Sequence, residues 1–107
     1  MTFDTFQSES ARTRPQTLSP REQVLVFALG LAGESGEVCD LIKKWARQGP
    51  DATLDSLEVK HEIGDVLWYV AQLALACGLS LEDVAMGNLD KLRRRYPGGF
   101  TPDGGVR

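Results

Sequence analysis

The strongest constraint on this chain is a helix whose start and stop signals lie far apart. Ser19-Pro20-Arg21-Glu22 is a capping box with proline at the first helical position. The pattern after it runs on to Gly49-Pro50, where glycine and proline together end a helix. A helix over about residues 20–48 is about 43 Å long at 1.5 Å per residue. A compact chain of about 100 residues has a radius of gyration of about 13 Å, and this chain has 107 residues. So long a rod leaves apolar flanks that the remaining residues cannot cover. That predicts one protomer of a helical assembly with closed symmetry, a homodimer or homotetramer. Gly30, Gly33 and Gly36 lie inside the segment. Each costs about 1 kcal/mol of helix stability relative to alanine. Spaced by three, they share a face that a second backbone or a ligand can approach closely, and a break near Gly30 is the alternative to a continuous helix.

The rest of the chain is also helical, with no alternating run long enough for a strand. Thr2 caps a short helix over about 3–11, interrupted by the Arg12–Gln16 stretch with Pro15. Thr53 or Asp55 caps a helix over about 55–77, about 35 Å long, which Gly78 closes. Its residues Ile63, Val66, Leu67, Val70, Leu73, Ala74 and Cys77 recur as a core-facing stripe. Ser80-Leu81-Glu82-Asp83 opens a last helix over about 81–95, stopped at Tyr96-Pro97-Gly98-Gly99. The expected fold is all-α, a bundle of two long antiparallel helices plus shorter ones. A single domain covers 1–100, and 101–107 form a flexible tail.

Composition narrows the function. Twelve Lys and Arg against fifteen Asp and Glu give a net charge of −3, which disfavours nucleic acid as a partner. No apolar run reaches the length of a membrane span, so no membrane is expected. Cys39 and Cys77 fit neither a disulfide framework nor a metal-ligand spacing and read as small buried thiols in a reducing cytoplasm, the host's for a viral chain.

The informative feature is the placement of the acids. Glu34 and Glu37 are three apart and share one helix face, and Glu62 and Asp65 repeat the arrangement on the next long helix. Like charges at this spacing repel. Two such pairs on facing helices call for a cation between them, and hard divalent ions such as Mg²⁺ take oxygen ligands while leaving room for water and phosphate. A single ExxE is ordinarily a solvated face. Here Gly33 and Gly36 leave the first pair uncrowded, and the apolar stripe borders the second. On the last helix Asn88, Lys91 and Arg95 share a face, with Arg93 and Arg94 beside them. Such a run meets phosphates or simply complements the helix dipole. Tyr69 and Trp45 are candidates to stack on a base or to serve as core. His61 reads as a surface residue or one that supports the acids from outside.

Gly30-Leu-Ala-Gly-Glu-Ser-Gly-Glu37, Lys43-Lys44, Glu62-Ile-Gly-Asp65-Val-Leu-Trp-Tyr, Asn88-x-x-Lys91-Leu and Arg95-Tyr96-Pro97 together resemble the MazG family of all-α nucleoside triphosphate pyrophosphohydrolases. The family's hallmark is ExxE followed after a gap by ExxD, and the gap from Val38 to His61 is 24 residues. Phe3-Asp-Thr-Phe-Gln and Ala11-Arg-Thr also look like the opening of small single-domain members. The resemblance implies Mg²⁺ ligands at Glu34, Glu37, Glu62 and Asp65, with more than one ion per site and Mn²⁺ as a substitute. It implies nucleotide contacts from Lys43, Lys44, Tyr69, Asn88, Lys91 and Arg95. Many members carry a further acid where this chain has Gly33, so four acids are expected rather than five. The activity implied is cleavage of a nucleoside triphosphate to monophosphate and pyrophosphate, with Glu34 or Glu37 helping to take the proton of the attacking water. The expected substrate leans to a purine deoxynucleotide such as dGTP. The alternatives are a non-catalytic nucleotide-binding or regulatory protein and a phosphoribosyl-ATP pyrophosphohydrolase. The resemblance, too, points to dimers or dimers of dimers with the nucleotide site near a subunit interface.

Overall fold

Local capping chemistry sets the helix boundaries. The computed structural model describes residues 1–103, which form four α-helices and no strand. Helix α1 is Phe3–Ser10, α2 is Pro20–Arg47, α3 is Ser56–Ala76 and α4 is Leu81–Arg95, with a 3-10 turn at Ala11–Thr13. Part of the expected tail, 104–107, lies outside the described residues. Thr2 accepts from the Thr5 amide at 3.0 Å to start α1. Both halves of the expected capping box start α2: Glu22 N donates to Ser19 Oγ at 3.1 Å, and Ser19 N donates to Glu22 Oε1 at 2.9 Å. Of the two caps considered for α3, Asp55 serves, accepting from the Leu57 and Glu58 amides. Gly49 and Gly78 take φ values of +100° and +74° at the ends of α2 and α3, a region that favours glycine.

Helix α2 runs unbroken through Gly30, Gly33 and Gly36. It pairs with α3 as an antiparallel hairpin, whose register is visible in opposed pairs: Gly30 lies on Tyr69, and Glu34 faces Asp65. A Cβ on Gly30 would overlap the Tyr69 ring, so this glycine is what lets the ring lie on the α2 backbone. A Cβ on Gly33 or Gly36 would meet nothing within 4 Å, so only the first of the three glycines serves a close approach within the chain.

Helices α1 and α4 close one end of the hairpin. Buried Gln7 of α1 donates to the Ala71 and Leu79 carbonyls at 3.2 and 3.0 Å and accepts from the Leu81 amide at 3.1 Å. One side chain thus joins α3, the connecting turn and the start of α4. Asp4 adds a cap from outside, accepting from Ser80 Oγ and the Glu82 amide.

The core is small: among the described residues, Phe27, Ala71, Ala74 and Leu81 are the buried apolar ones. The expected α3 stripe is half-buried at Val66, Leu67, Val70 and Leu73, and Ala74 is buried. Ile63 is exposed instead, because the described residues leave its side chain uncovered. Cys39 and Cys77 are also exposed, contrary to the expectation of buried thiols. Cys39 lies on an outer flank of α2 between exposed Gly36 and Lys43, and Cys77 sits past the packed part of α3. The radius of gyration is 17.1 Å, well above the compact value for this length. No single helix among the described residues is long and apolar enough to cross a membrane.

Candidate active site

The hairpin register brings acids from both helices together. One carboxylate oxygen each from Glu34, Glu62 and Asp65 lies within 4.8 Å of the others. The i, i+3 spacing on α3 puts Glu62 and Asp65 on one face, and the antiparallel pairing with α2 sets Glu34 against them. Partial desolvation, then repulsion from Asp65, Glu62 and Glu37, pushes the Glu34 carboxyl above its ordinary value. A site of hard oxygen donors whose charges oppose one another suits a divalent cation.

Glu37 stands outside that triad. One turn further along α2, it lines a neighbouring cavity of about 330 Å³ together with Glu62, Asp40, Lys44 and Trp45. Within this cavity Lys44 Nζ lies 3.0 Å from Asp40 Oδ2, while Lys43 Nζ approaches Oδ1 at 3.4 Å. The Lys44 hydrogen bond and charge hold Asp40 below the usual carboxylate range, and Asp40 in turn raises the lysine. Trp45 Nε1 donates to the Ala52 carbonyl at 3.0 Å, which ties the connecting loop across the cavity's end.

A second cavity, about 340 Å³, opens on the other side of the triad between Glu34, Asp65, Trp68 and Tyr69. The two aromatic rings meet edge to face with centroids 4.8 Å apart. Trp68 also meets the Phe27 ring edge at 5.8 Å and donates from Nε1 to Thr13 Oγ1 at 2.8 Å.

The structure therefore unites Glu34, Glu62 and Asp65, sets Glu37, Lys44 and Trp45 on one side of them, and sets Tyr69 on the other. It does not bring the α4 residues into either cavity. Asn88 and Lys91 are exposed and Arg95 is half-buried on a helix that packs against α1 and the end of α3. His61 is exposed and is not part of the triad. Asp40 is not singled out by the sequence, and Thr13 and Trp68 stand there only as members of motifs, with no role attached. Asp40 was findable, since it stands three and four residues before two lysines on a helix. The Thr13–Trp68 bond spans 55 positions and leaves no local signal.

The fold and site together define an all-helical protein with three carboxylates gathered between two antiparallel helices. The model of the MazG nucleotide pyrophosphohydrolase domain matches residues 23–100, and the chain belongs to that family of nucleotide pyrophosphohydrolases. It is 38% identical over 86 residues to the Gene 37 protein of Mycobacterium phage L5, covering 78% of this chain and 75% of that one. It is 36% identical over 73 residues to dCTP pyrophosphatase 1 of Rattus norvegicus and 34% identical to its Homo sapiens counterpart. Each of these matches covers 64% of this chain and 43% of the relative's length. No solved structure matches significantly.

Proposed function

We propose that this chain hydrolyses a nucleoside or deoxynucleoside triphosphate between its α and β phosphates, giving the monophosphate and pyrophosphate, and that it serves nucleotide-pool control. The convergence of Glu34, Glu62 and Asp65 carries the proposal, since it supplies the cation site that such chemistry needs. Mg²⁺, or Mn²⁺ in its place, supplies charge neutralisation and a Lewis acid for a phosphoryl oxygen when bound. Glu34, Glu62 and Asp65 hold the cation. Glu37 stands outside that triad with Glu62 in the adjoining cavity, and we assign it to accept the proton of the attacking water. Lys44, oriented by Asp40, offsets charge on the phosphates, with Lys43 beside it. Trp45 walls the same cavity and is assigned to contact the substrate there. Asn88, Lys91 and Arg95 line neither acid cavity of their own chain, so we assign them to the nucleotide bound by a neighbouring protomer. The exposed apolar residues of α2 and α4 support that association.

A panel of the standard NTPs and dNTPs with Mg²⁺ or Mn²⁺, read by pyrophosphate release, tests the proposal. The names of the mammalian relatives put dCTP beside dGTP as the first substrates to try. Glu37→Gln is expected to abolish turnover with helix content unchanged. Near-normal turnover in that variant removes Glu37 from the proton-accepting role, and release of orthophosphate alone overturns the cleavage position.

A further inference from the structure

We infer that Trp68 forms the wall on which the nucleobase stacks, with Thr13 as the residue that positions its indole. The inference deepens the nucleotide reading above and rests on it. The two cavities beside the carboxylate triad differ in kind. The one holding Lys44 is lined by Glu37, Asp40, Asp55, Glu58 and Glu62 as well, and its tryptophan spends its indole N–H on the Ala52 carbonyl. The one holding Trp68 and Tyr69 contains no charge besides Glu34 and Asp65, both of which face the cation site. Of these two cavities, the strongly charged one can take phosphates only with cations between them and its acids, whereas the one with Trp68 and Tyr69 is suited to a flat apolar ring. Aromatic side chains stack on bases with little dependence on which base is present.

The aromatic wall is also held in place. Trp68 Nε1 donates to Thr13 Oγ1, and the Thr13 hydroxyl donates in turn to the Ser10 carbonyl at 2.7 Å, so the hydroxyl is directed on both sides. Phe27 supports the indole by its edge. Tyr69 is seated on Gly30, where any side chain would displace it. The indole N–H is already bonded to Thr13, which leaves the ring surface as the feature Trp68 offers to a ligand.

The chain has two tryptophans, so Trp45→Phe leaves Trp68 as the sole indole emitter. The experiment titrates that variant, with Mg²⁺ present, using a non-hydrolysable deoxynucleoside triphosphate and, separately, inorganic tripolyphosphate. Trp68 emission is expected to be quenched by the nucleotide and unaffected by tripolyphosphate, while Trp45 in a Trp68→Phe variant responds to both alike. Trp68→Leu is expected to raise KM about tenfold with a smaller change in kcat. Thr13→Val is expected to weaken the base-dependent quenching, and Thr13→Ser to retain it. Equal responses of Trp68 to the two ligands, or a base-dependent response confined to Trp45, overturn the inference. Nucleotide binding seen by calorimetry with no change at Trp68 overturns it alone, whereas no binding of either ligand to the wild-type protein by calorimetry overturns the nucleotide reading as well.

Discussion

Glu34 is the residue on which the site's electrostatics turn. Its carboxyl is held above its ordinary value by partial desolvation and by three neighbouring acids. A carboxyl raised on folding binds its proton more tightly in the native state, so its contribution to stability falls as pH rises from the unfolded value through the folded one. Glu34's own contribution in the metal-free protein should therefore fall as pH rises, read as the difference between wild type and Glu34→Gln, and saturating Mg²⁺ should flatten that difference. Glu34→Gln removes one charge from the repelling set. Thermal melts should show its metal-free Tm unchanged or higher than the wild type, with the Mg²⁺-induced rise in Tm lost. Its Mg²⁺ affinity should fall at least about tenfold, the scale already reached when groups that merely support a ligand are removed. An undiminished Mg²⁺ shift in this variant would take Glu34 out of the cation site. Because protons and cation compete for the same oxygens, Mg²⁺ affinity of the wild type should weaken as pH falls through the raised Glu34 value.

At the scale of the helices, the α2–α3 hairpin converts sequence spacing into a site, and its register hangs on Gly30. Glycine to alanine in a helix ordinarily gains about 1 kcal/mol. At Gly30 the added Cβ would overlap the Tyr69 ring, and overpacking of that kind costs about 1–3 kcal/mol. Gly30→Ala is thus expected to destabilise the fold and lower activity by moving Glu34 from Asp65. Gly87→Ala, with open space around it on α4, should be neutral or stabilising. In the Gly30→Ala/Tyr69→Ala double variant the two losses should be less than additive, which denaturant melts can measure. Gln7→Leu leaves three backbone groups at the junction of α3 and α4 without their partner. The expected cost is about 2–4 kcal/mol in urea unfolding, from orphaned buried polar groups. These cases also mark what the sequence made legible. Helix boundaries and the Glu34, Glu62, Asp65 face follow from caps and i, i+3 spacing, which act within a turn or two. Gln7 on Leu79, Asp4 on α4 and Thr13 on Trp68 join residues more than fifty positions apart, and no local pattern encodes them. The glycines at 30, 33 and 36 look equivalent in sequence, and only the packing of Tyr69 distinguishes the first.

At the scale of the whole molecule, the length of α2 has a consequence the single chain leaves unresolved. The molecule measures 46 × 39 × 26 Å, and four apolar residues are buried among those described. On α2, Val24, Leu25, Val26 and Leu29 are exposed, Leu29 at 71%, and on α4 so are Met86, Leu89 and Leu92. Burying one such leucine is worth about 1.5–3 kcal/mol, so leaving this many in water is a cost that a second copy removes. The helical ridges of α2 and α4 are suited to pack against their own counterparts with closed symmetry. Sedimentation at micromolar concentration should therefore give the mass of a dimer or tetramer, and Tm should rise with protein concentration, as it does when folding and association are linked. Leu29→Glu puts a charge at the most exposed of these α2 and α4 residues. That variant should sediment as a monomer and melt lower than the wild type while keeping its helical circular dichroism. Activity should fall with it if Asn88, Lys91 and Arg95 act on the neighbouring protomer's nucleotide. A wild type that sediments as a monomer and melts independently of concentration would mean that one chain carries its exposed leucines unaided, and the assignment of the α4 residues across protomers would fall with it.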